Sequence, residues 1–382
     1  MILGFLEDKF MKILIAPDSF KGTISAEKAV KVISHAAKRT FGDCSFINMP
    51  LADGGEGTAT LVTSYLGGRL EKIEVEGPFG KKVKAGIGFV DDGRCAVIEC
   101  SQAVGLTLAG KRSNPEKTSS YGVGQMISFA TSRGAHRIIL ALGGSCTNDC
   151  GAGMLSAMGV SFVDICGNHF TPVGGTLHRV ENIEYNQAFS KYSDVEFTLL
   201  CDVKNPLLGK SGCAKVFAPQ KGADAAGVKR LEDGDKKFDR VVRRVTGTNC
   251  ADIEGAGAAG GIAYGALAFL RANVVSGIDA VLDVYKFRRA ARDCDMIVTG
   301  EGNFDSQSFM GKAVGGVISR IEDGKPCVVF CGRYDGTPVG ENIYVVPISE
   351  GQDDGEAFEN ANDNLMRSAE KFFADWKEKH SV

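Results

Sequence analysis

The 382-residue sequence has no apolar run long enough to cross a bilayer and no large excess of charge of either sign. Its apolar stretches, such as 328–331, fall far short of the roughly 20 residues that a transmembrane helix requires. Forty-four basic side chains stand against 47 acidic ones, so the formal net charge is −3 and no broad basic surface is expected. We therefore expect neither a membrane nor a nucleic acid among the partners of this protein.

Its cysteines and histidines exclude several kinds of site. The twelve cysteines include no C-x-x-C pair, so we expect reduced thiols and neither a zinc nor an iron–sulfur centre. None of the five histidines falls in a glycine-rich loop, which disfavours a histidine-dependent hydrolase or metal enzyme. Acidic residues in segment 1–20, where a signal peptide needs basic ones, indicate a cytoplasmic protein.

Hydrophobic periodicity predicts two kinds of structure along the chain. The terminal parts contain short apolar runs that alternate with amphipathic helical patterns, as in a doubly wound parallel sheet. The middle part begins with alternating polar and apolar residues around turns, as in an antiparallel meander. We therefore predict an α/β fold with a discontinuous, Rossmann-like parallel-sheet domain (1–68 and 288–382). An inserted α+β domain with glycine-rich loops would occupy 69–287.

Glycine is strongly over-represented, with 49 residues. Five loops combine it, or proline, with carboxylate and amide side chains: 18–22, 53–57, 143–151, 202–206 and 300–305. Three of these loops follow a predicted strand, and ligands of open α/β sheets bind at that end of the strands. Carboxylates and amides without histidine suit a hard cation and a polyhydroxyl ligand. Backbone amides ahead of a helix, as in 143–151, suit a phosphate.

Two segments resemble nucleotide-binding motifs, but neither meets all the requirements of its motif. Residues 209–211 resemble the end of a P-loop, but Lys204 stands where its first glycine is required. Residues 255–260 match G-x-G-x-x-G, with Asp279 about twenty residues further on. The preceding residues 246–254 are too polar for the strand that this motif needs. We interpret the match as coincidental, although it keeps an NAD-dependent hydroxy-acid oxidoreductase open as an alternative.

Seven segments, in order, carry a resemblance to a known family. They are APDSFKGTISA (16–26), PLADGGEGT (50–58), ALGGSCTNDCGAGML (141–155), DVKNPLLG (202–209), FAPQKGA (217–223), GAGAAGGIAYGA (255–266) and VTGEGNFDSQSFMGKA (298–313). The chain resembles the bacterial glycerate kinases of the glucarate- and glyoxylate-pathway type over nearly its whole length. At Cys146 and Cys150 the family more often carries Ala and Gly. The resemblance implies ATP-dependent phosphorylation of D-glycerate, with Mg²⁺, to 2-phosphoglycerate.

The loops offer residues for each role in such a reaction. The catalytic residues would be Asp202, Asp18 and Lys21. The substrate-binding residues would be Ser19, Asp53, Glu56, Asn148 and Asn205. The cofactor-binding residues would be Gly143, Gly144, Ser145, Thr147, Lys221, Gly257 and Lys312. The metal ligands would be Asp149, Glu301 and Asp305. For the general base, Asp202 is the first of several candidates, which include Asp18, Asp53 and Asp305.

The same motifs indicate which ligands the protein binds and which other functions compete with that of a kinase. We expect D-glycerate and ATP as small-molecule partners and a monomer or homodimer. A non-enzymatic sugar-acid binding protein is the other alternative, and it would not need phosphate-binding loops. Stabilisation by NAD or by ATP separates the first alternative from a kinase, because a ligand of the folded state raises the melting temperature.

Overall fold

The computed structural model describes residues 10–20, 22–52, 55, 57–185, 187–309, 312–349 and 351–380. The strands in these ranges are β1 (Met11–Ile15), β2 (Cys44–Asn48), β3 (Arg69–Glu76), β4 (Lys82–Val90), β5 (Cys95–Glu99), β6 (Arg137–Ala141), β7 (Val160–Val163), β8 (His169–Phe170), β9 (Asn182–Tyr185), β10 (Glu196–Leu200), β11 (Asn273–Val275), β12 (Met296–Phe304), β13 (Cys327–Tyr334) and β14 (Ile343–Pro347). The helices are α1 (Ala26–Phe41), α2 (Thr58–Tyr65), α3 (Ser101–Val104), α4 (Leu106–Ala109), α5 (Tyr121–Ser132), α6 (Ala152–Met158), α7 (Cys213–Phe217), α8 (Ala225–Thr246), α9 (Ala258–Leu270), α10 (Gly277–Val284), α11 (Phe287–Arg292), α12 (Ala313–Ile318), α13 (Asp354–Glu359) and α14 (Ala361–His380).

The chain divides into two compact units. Unit 1 comprises Met1–Asp53 and Ile278–Val382, and unit 2 comprises Gly54–Gly277. The division falls earlier in the chain than the expected boundaries at 68 and 288. One reason is that α2 packs on β4 and β5 of unit 2. That the units are a Rossmann-like domain and an inserted domain stays a prediction.

Unit 1 is built on a five-stranded sheet in the order β14-β13-β12-β1-β2, with all neighbours parallel. One face carries Ile13, Val298 and Phe330 and contacts α1 and α14. Leu14 and Ile297 alternate to the other face and are also fully buried. Burial on both faces explains why these strands are continuous apolar runs in the sequence.

The first helix begins and ends where the sequence predicts. Ser25 caps α1 by accepting a hydrogen bond from the backbone N–H of Lys28, at 3.3 Å. Gly42 ends the helix with a φ of +75°, a conformation that glycine adopts without strain. Between them, the buried positions recur at helical spacing, from Ala26 through Ile33 to Ala37.

Unit 2 contains a six-stranded sheet in the order β11-β10-β6-β5-β4-β3. Strands β3, β4 and β5 are antiparallel neighbours, which confirms the predicted meander. Strands β5, β6, β10 and β11 are parallel, an arrangement that the alternating sequence pattern did not indicate. A separate antiparallel sheet has the order β8-β7-β9. Parallel strands and helices in both units confirm the α/β fold class.

Among the helices of the described residues, none is both long and apolar enough to cross a bilayer.

A buried carboxylate fastens α2 to the sheet of unit 2. The side chain of Glu99, which is only 2% exposed, accepts a hydrogen bond from the backbone N–H of Ala59 at 2.6 Å. We expect Glu99→Ala to lower the free energy of unfolding by about 1–3 kcal/mol, because a buried N–H loses its acceptor. Denaturant unfolding followed by circular dichroism measures this change.

Glu71→Ala is the control for that measurement. Glu71 forms ion pairs with the exposed side chains of Arg69 and Arg133, at 3.0 and 3.2 Å. Its removal should cost at most about 1 kcal/mol, because surface ion pairs contribute little. Equal losses in the two variants would contradict the structural role of Glu99.

Candidate active site

A pocket of about 890 Å³ lies in unit 1, with lining residues at the carboxyl ends of four of its parallel strands. Its polar lining includes Asp18, Ser19, Glu301, Asn303, Lys312 and Arg333. Its apolar lining includes Phe20, Tyr334, Pro347, Ile348 and Phe358. The pocket therefore brings two carboxylates and two basic side chains together beside aromatic surface, at the edge of the sheet where ligands of such folds bind.

Backbone contacts hold the acidic residues of this pocket in place. The N–H of Asp18 donates to the carbonyl of Gly300 at 2.8 Å, which extends the pairing of β1 with β12. A Cβ atom at Gly300 would lie 2.4 Å from the carbonyl oxygen of Phe330, so only glycine fits there. The Asp18 side chain accepts from the N–H of Ser19 at 2.7 Å. Asp18 is 8% exposed and Glu301 is 6% exposed, so both residues are largely buried in the wall of the pocket.

The structure brings together four of the residues predicted from the terminal loops. Asp18, Ser19, Glu301 and Lys312 line the pocket. Asp305 is not in its lining, and its carboxylate instead accepts from the side-chain amide of Asn303 and the N–H of Gln307, at 2.6 and 2.8 Å. These bonds organise the turn after β12. The predicted residues Lys21, Asp53 and Glu56 lie outside the described residues.

Arg333 and Tyr334 are lining residues that sequence reasoning missed. They lie near the end of β13, directly after the buried run Cys327–Cys331. Like Asp18, they lie near the carboxyl end of a parallel strand, where ligands of such folds bind. Their position after an apolar run is visible in the sequence, but they lie outside the seven segments that carry the family resemblance.

In unit 2, the glycine-rich loop 143–151 connects β6 to α6. Gly144 is exposed and Gly143 is half-buried, whereas residues 145–150 are buried. The N–H of Cys146 donates to the carbonyl of Val104 at 2.8 Å, so this amide is already used within the protein. The part of the loop that a ligand can approach is therefore the Gly143–Gly144 tip.

Lys221 supports the loop from the protein interior. Its ammonium group donates to the carbonyl of Thr147 at 2.8 Å and to the hydroxyl of Ser145 at 3.3 Å. Lys221 is 3% exposed, and burial lowers the pKa of this ammonium group below its ordinary value. The hydroxyl of Thr147 donates to the carbonyl of Ala259 at 3.4 Å. Thr147 and Lys221 thus contact protein groups in an enclosed position, and their role as cofactor ligands stays a prediction.

Asn148 takes part in a second buried network, with a residue that sequence reasoning missed. Its amide nitrogen donates to both carboxylate oxygens of Asp235, each at 3.2 Å. Its amide oxygen accepts from the thiol of Cys213 at 3.2 Å, and the thiol of Cys150 donates to Asp235 at 3.3 Å. Burial raises the pKa of Asp235 to about 7. Asp235 lies in the middle of α8, where only the tertiary fold brings it to the loop.

Asp149 is enclosed by protein donors. Its carboxylate accepts from the N–H and the hydroxyl of Ser120, at 2.7 and 2.9 Å. It also accepts from the N–H groups of Gly151 and Gly153, at 3.2 and 3.3 Å. Burial raises the pKa of this carboxyl group, while those hydrogen bonds act in the opposite direction. This arrangement organises the start of α6 and gives no support to Asp149 as a metal ligand.

The remaining predicted residues belong to the segment after β10. Asp202 is exposed, and its carboxylate accepts from the N–H of Gly277 at 2.9 Å, at the start of α10. The side-chain amide of Asn205 donates to the carbonyl of Ser211 at 2.8 Å. A Cβ atom at Gly257 would lie 2.4 Å from the carbonyl oxygen of Pro206. Gly257 is therefore required for close backbone packing, and nothing in its surroundings indicates a bound cofactor.

Close backbone packing also explains the glycines of the G-x-G-x-x-G match at 255–260. A Cβ atom at Gly260 would lie 1.8 Å from the carbonyl oxygen of Thr147, so this glycine allows the start of α9 to pack against loop 143–151. Turns, and no strand, precede the match. The structural context that a dinucleotide-binding motif requires is therefore missing here.

Carboxylate groups are the side chains of these sites that could hold Mg²⁺. Among the described residues, no group of three or more His, Cys, Asp or Glu side chains is arranged to hold a metal ion. Mg²⁺ in phosphate-transferring sites uses only one or two carboxylates together with waters and phosphate oxygens. The two carboxylates of the unit 1 pocket fit that requirement.

The raised pKa of Asp235 leads us to expect that this residue makes the stability of the folded protein depend on pH. From about pH 4 to about pH 7 the folded protein keeps a proton on Asp235 that the unfolded chain has released, so this residue lowers stability as the pH rises. We expect the melting temperature of the wild type, relative to that of Asp235→Asn, to decrease from pH 5 to pH 8. Differential scanning fluorimetry at the two pH values measures it, and a constant difference would contradict the prediction.

Comparisons with known proteins place the chain in a family. A model of the glycerate kinase family matches residues 13–377. The chain is 38% identical over 376 residues to a glycerate kinase of Bacillus subtilis, covering 96% of this chain and 98% of that relative. It is 36% identical over 373 residues to the glycerate 2-kinase of Escherichia coli, covering 95% and 97%. A solved structure described as a glycerate kinase 2 from Salmonella typhimurium LT2 has a TM-score of 0.87 and 34% identity, covering 98% of this chain and 100% of that one. This chain belongs to the glycerate kinase family.

Proposed function

We propose that this protein transfers the terminal phosphoryl group of ATP to D-glycerate and forms 2-phosphoglycerate. Membership of the glycerate kinase family and the name of the Escherichia coli relative support this proposal. The structural observation that carries it is the unit 1 pocket, where Asp18 and Glu301 lie with Lys312 and Arg333. Phosphoryl transfer mainly requires positioning and neutralisation of charge, and these four groups supply both.

The size and chemistry of the pocket suit a nucleotide. A volume of about 890 Å³ lies in the range of pockets for ligands much larger than a three-carbon acid. Phe20, Tyr334 and Phe358 offer aromatic surface, and Lys312 and Arg333 offer positive charge for phosphate or carboxylate oxygens. Glu301 would contribute to the binding of Mg²⁺, which, when bound with ATP, neutralises charge on the phosphate oxygens.

Asp18 is our candidate for the group that accepts the hydroxyl proton of glycerate. It follows β1 directly, and backbone hydrogen bonds at its own N–H and at its carboxylate fix its position. A general base needs such fixed geometry. Asp202 is the second candidate, although its carboxylate contacts the start of α10. Lys21 keeps its predicted catalytic role.

In unit 2, we assign the Gly143–Gly144 tip to contact with phosphate. Gly144 is exposed and has a φ of +73°, and the loop leads into α6. Glycines at such a turn allow a phosphate to approach the backbone closely. Ser145 lies directly behind the tip, where its hydroxyl accepts from Lys221.

Nothing in the described part of the chain supports the oxidoreductase alternative. The glycines at 255–260 pack against other backbone segments, and Asp279 forms an ion pair with Arg320 at 2.6 Å. A non-enzymatic binding protein is not favoured, because the chain belongs to a kinase family.

Product identity tests the proposed reaction. We expect the purified protein, with ATP, Mg²⁺ and D-glycerate, to form a product that enolase converts directly to phosphoenolpyruvate. Enolase accepts 2-phosphoglycerate but not its 3-isomer, so the coupled absorbance change reports the position of the phosphate. A signal that appears only after phosphoglycerate mutase is added would show that the product is 3-phosphoglycerate.

Asp18→Asn tests the role of the unit 1 pocket. Loss of a proton acceptor that also carries charge should lower kcat/KM by about 10²-fold, while asparagine keeps the shape of the residue. Asp323→Asn, at an exposed position of unit 1, is the control and should keep the wild-type rate. If Asp202→Asn is strongly impaired and Asp18→Asn is not, the assignment of the base to Asp18 is wrong.

Gly144→Asn tests the tip of the loop. Asparagine tolerates a positive φ, and its side chain would occupy the surface that a phosphate must approach. We expect KM for ATP to rise about tenfold while KM for glycerate changes less than twofold. Gly167→Asn is the matched control, because Gly167 is exposed with a φ of +80° in the turn between β7 and β8. Equal increases in both KM values would contradict a phosphate contact.

A further inference from the structure

Two buried ionisable residues face the glycine-rich loop, one on each half of it. We propose that Asp235 and Lys221 are positioning residues for nucleotide binding, which hold segment 145–150 in shape and so present the Gly143–Gly144 tip to phosphate. This inference rests on the proposed function, which assigns that tip to ATP. Both residues lie in the protein interior, so neither would touch the substrates, and for Lys221 this proposal replaces the cofactor-binding role predicted from the sequence.

Asp235 holds the second half of the segment. It is fully buried on α8, and it accepts two hydrogen bonds from the amide of Asn148 and one from the thiol of Cys150. Asn148 is held on its other side by the thiol of Cys213. The side chains of residues 148 and 150 are thus both fixed by one carboxylate.

Lys221 holds the first half. Its ammonium group donates to the Thr147 carbonyl and to the Ser145 hydroxyl, and it reaches them from the short 3₁₀ turn Pro219–Lys221. The hydroxyl of Ser113 donates to the carbonyl of Lys221 at 2.7 Å, which fixes the backbone of that turn. The bond to a backbone carbonyl constrains the path of the loop itself.

The loop also has no room to relax towards the interior. Gly260 lies so close to Thr147 that even a Cβ atom would overlap with the Thr147 carbonyl. Cys150 has a φ of +51°, and its N–H donates to the carbonyl of Gly260 at 3.0 Å. A residue with a side chain keeps such a conformation only where its surroundings impose it.

Fold stability alone does not account for ionisable side chains at these positions. Burying a carboxyl or an ammonium group is costly, and well-packed apolar residues often serve stability as well or better. Both side chains nevertheless direct their hydrogen bonds to one six-residue segment behind a predicted ligand contact. Buried polar networks that fix one geometry are typical of the supporting layer behind a binding site.

The helix that carries Asp235 also provides a matched control. Asp239 lies one turn further along α8 and is 4% exposed. Its carboxylate contacts the hydroxyl of Tyr264 at 2.9 Å and the guanidinium of Arg243 at 2.7 Å, and no bond to loop 143–151 is among these contacts. Alanine at either position removes a buried carboxylate from the same helix.

The experiment compares steady-state kinetics and melting temperature in Asp235→Ala, Asp239→Ala and Lys221→Met. We expect Asp235→Ala and Lys221→Met to raise KM for ATP about tenfold, with KM for glycerate changed less than twofold. Asp239→Ala should lower the melting temperature yet keep both KM values within twofold of the wild type. Asp235→Asn keeps one acceptor oxygen for Asn148, so its KM for ATP should lie between those of the wild type and the alanine variant.

Two results would overturn the inference. One is a KM for ATP that stays at the wild-type value in Asp235→Asn and Lys221→Met, which remain informative if the alanine variant does not fold. The other is an equal rise of KM for ATP in Asp239→Ala, which would indicate a general loss of stability. If Gly144→Asn raises KM for ATP and the positioning variants do not, only this inference fails. If Gly144→Asn has no effect on KM for ATP, the phosphate assignment of the loop fails, and this inference fails with it.

Discussion

Close contact between backbone segments is the constraint on which both candidate sites depend. In unit 1, the absence of a side chain at Gly300 lets β12 lie against the Phe330 carbonyl while Asp18 bonds to Gly300. In unit 2, Gly260 lets the start of α9 reach the Thr147 carbonyl behind the glycine-rich loop. These contacts explain part of the unusual glycine content of the chain, since any side chain at either position would push the segments apart.

Loops that look alike in the sequence place their carboxylates in different surroundings in the two units. Asp18 and Glu301 line a pocket that they share with two basic side chains. Asp149 and Asp235 are fully buried, and each carboxylate is surrounded by protein donors. Buried charges are stable only when such partners are present, so enclosed carboxylates organise structure while those in a pocket remain suited to chemistry.

Cys150 has a backbone conformation that is unusual for a residue with a side chain. Its φ of +51° is one that glycine adopts without strain. The cysteine adds a thiol that donates to Asp235, and its full burial raises the pKa of that thiol well above the ordinary value. The side chain therefore behaves as a neutral hydrogen-bond donor within the support of the loop.

The sequence by itself determined the local elements and the family. Ser25 and Gly42 mark the ends of α1, apolar runs mark the parallel strands, and the loop motifs identify a glycerate kinase. Only the tertiary structure decided which polar groups lie at a pocket and which are enclosed. Asp149 and Glu301 both lie within glycine-rich motifs, yet their surroundings come from segments distant in the chain, such as Ser120 for Asp149. Asp235 has no signal in the sequence, because an aspartate within an amphipathic helix is ordinarily solvated and only packing brings it to the loop.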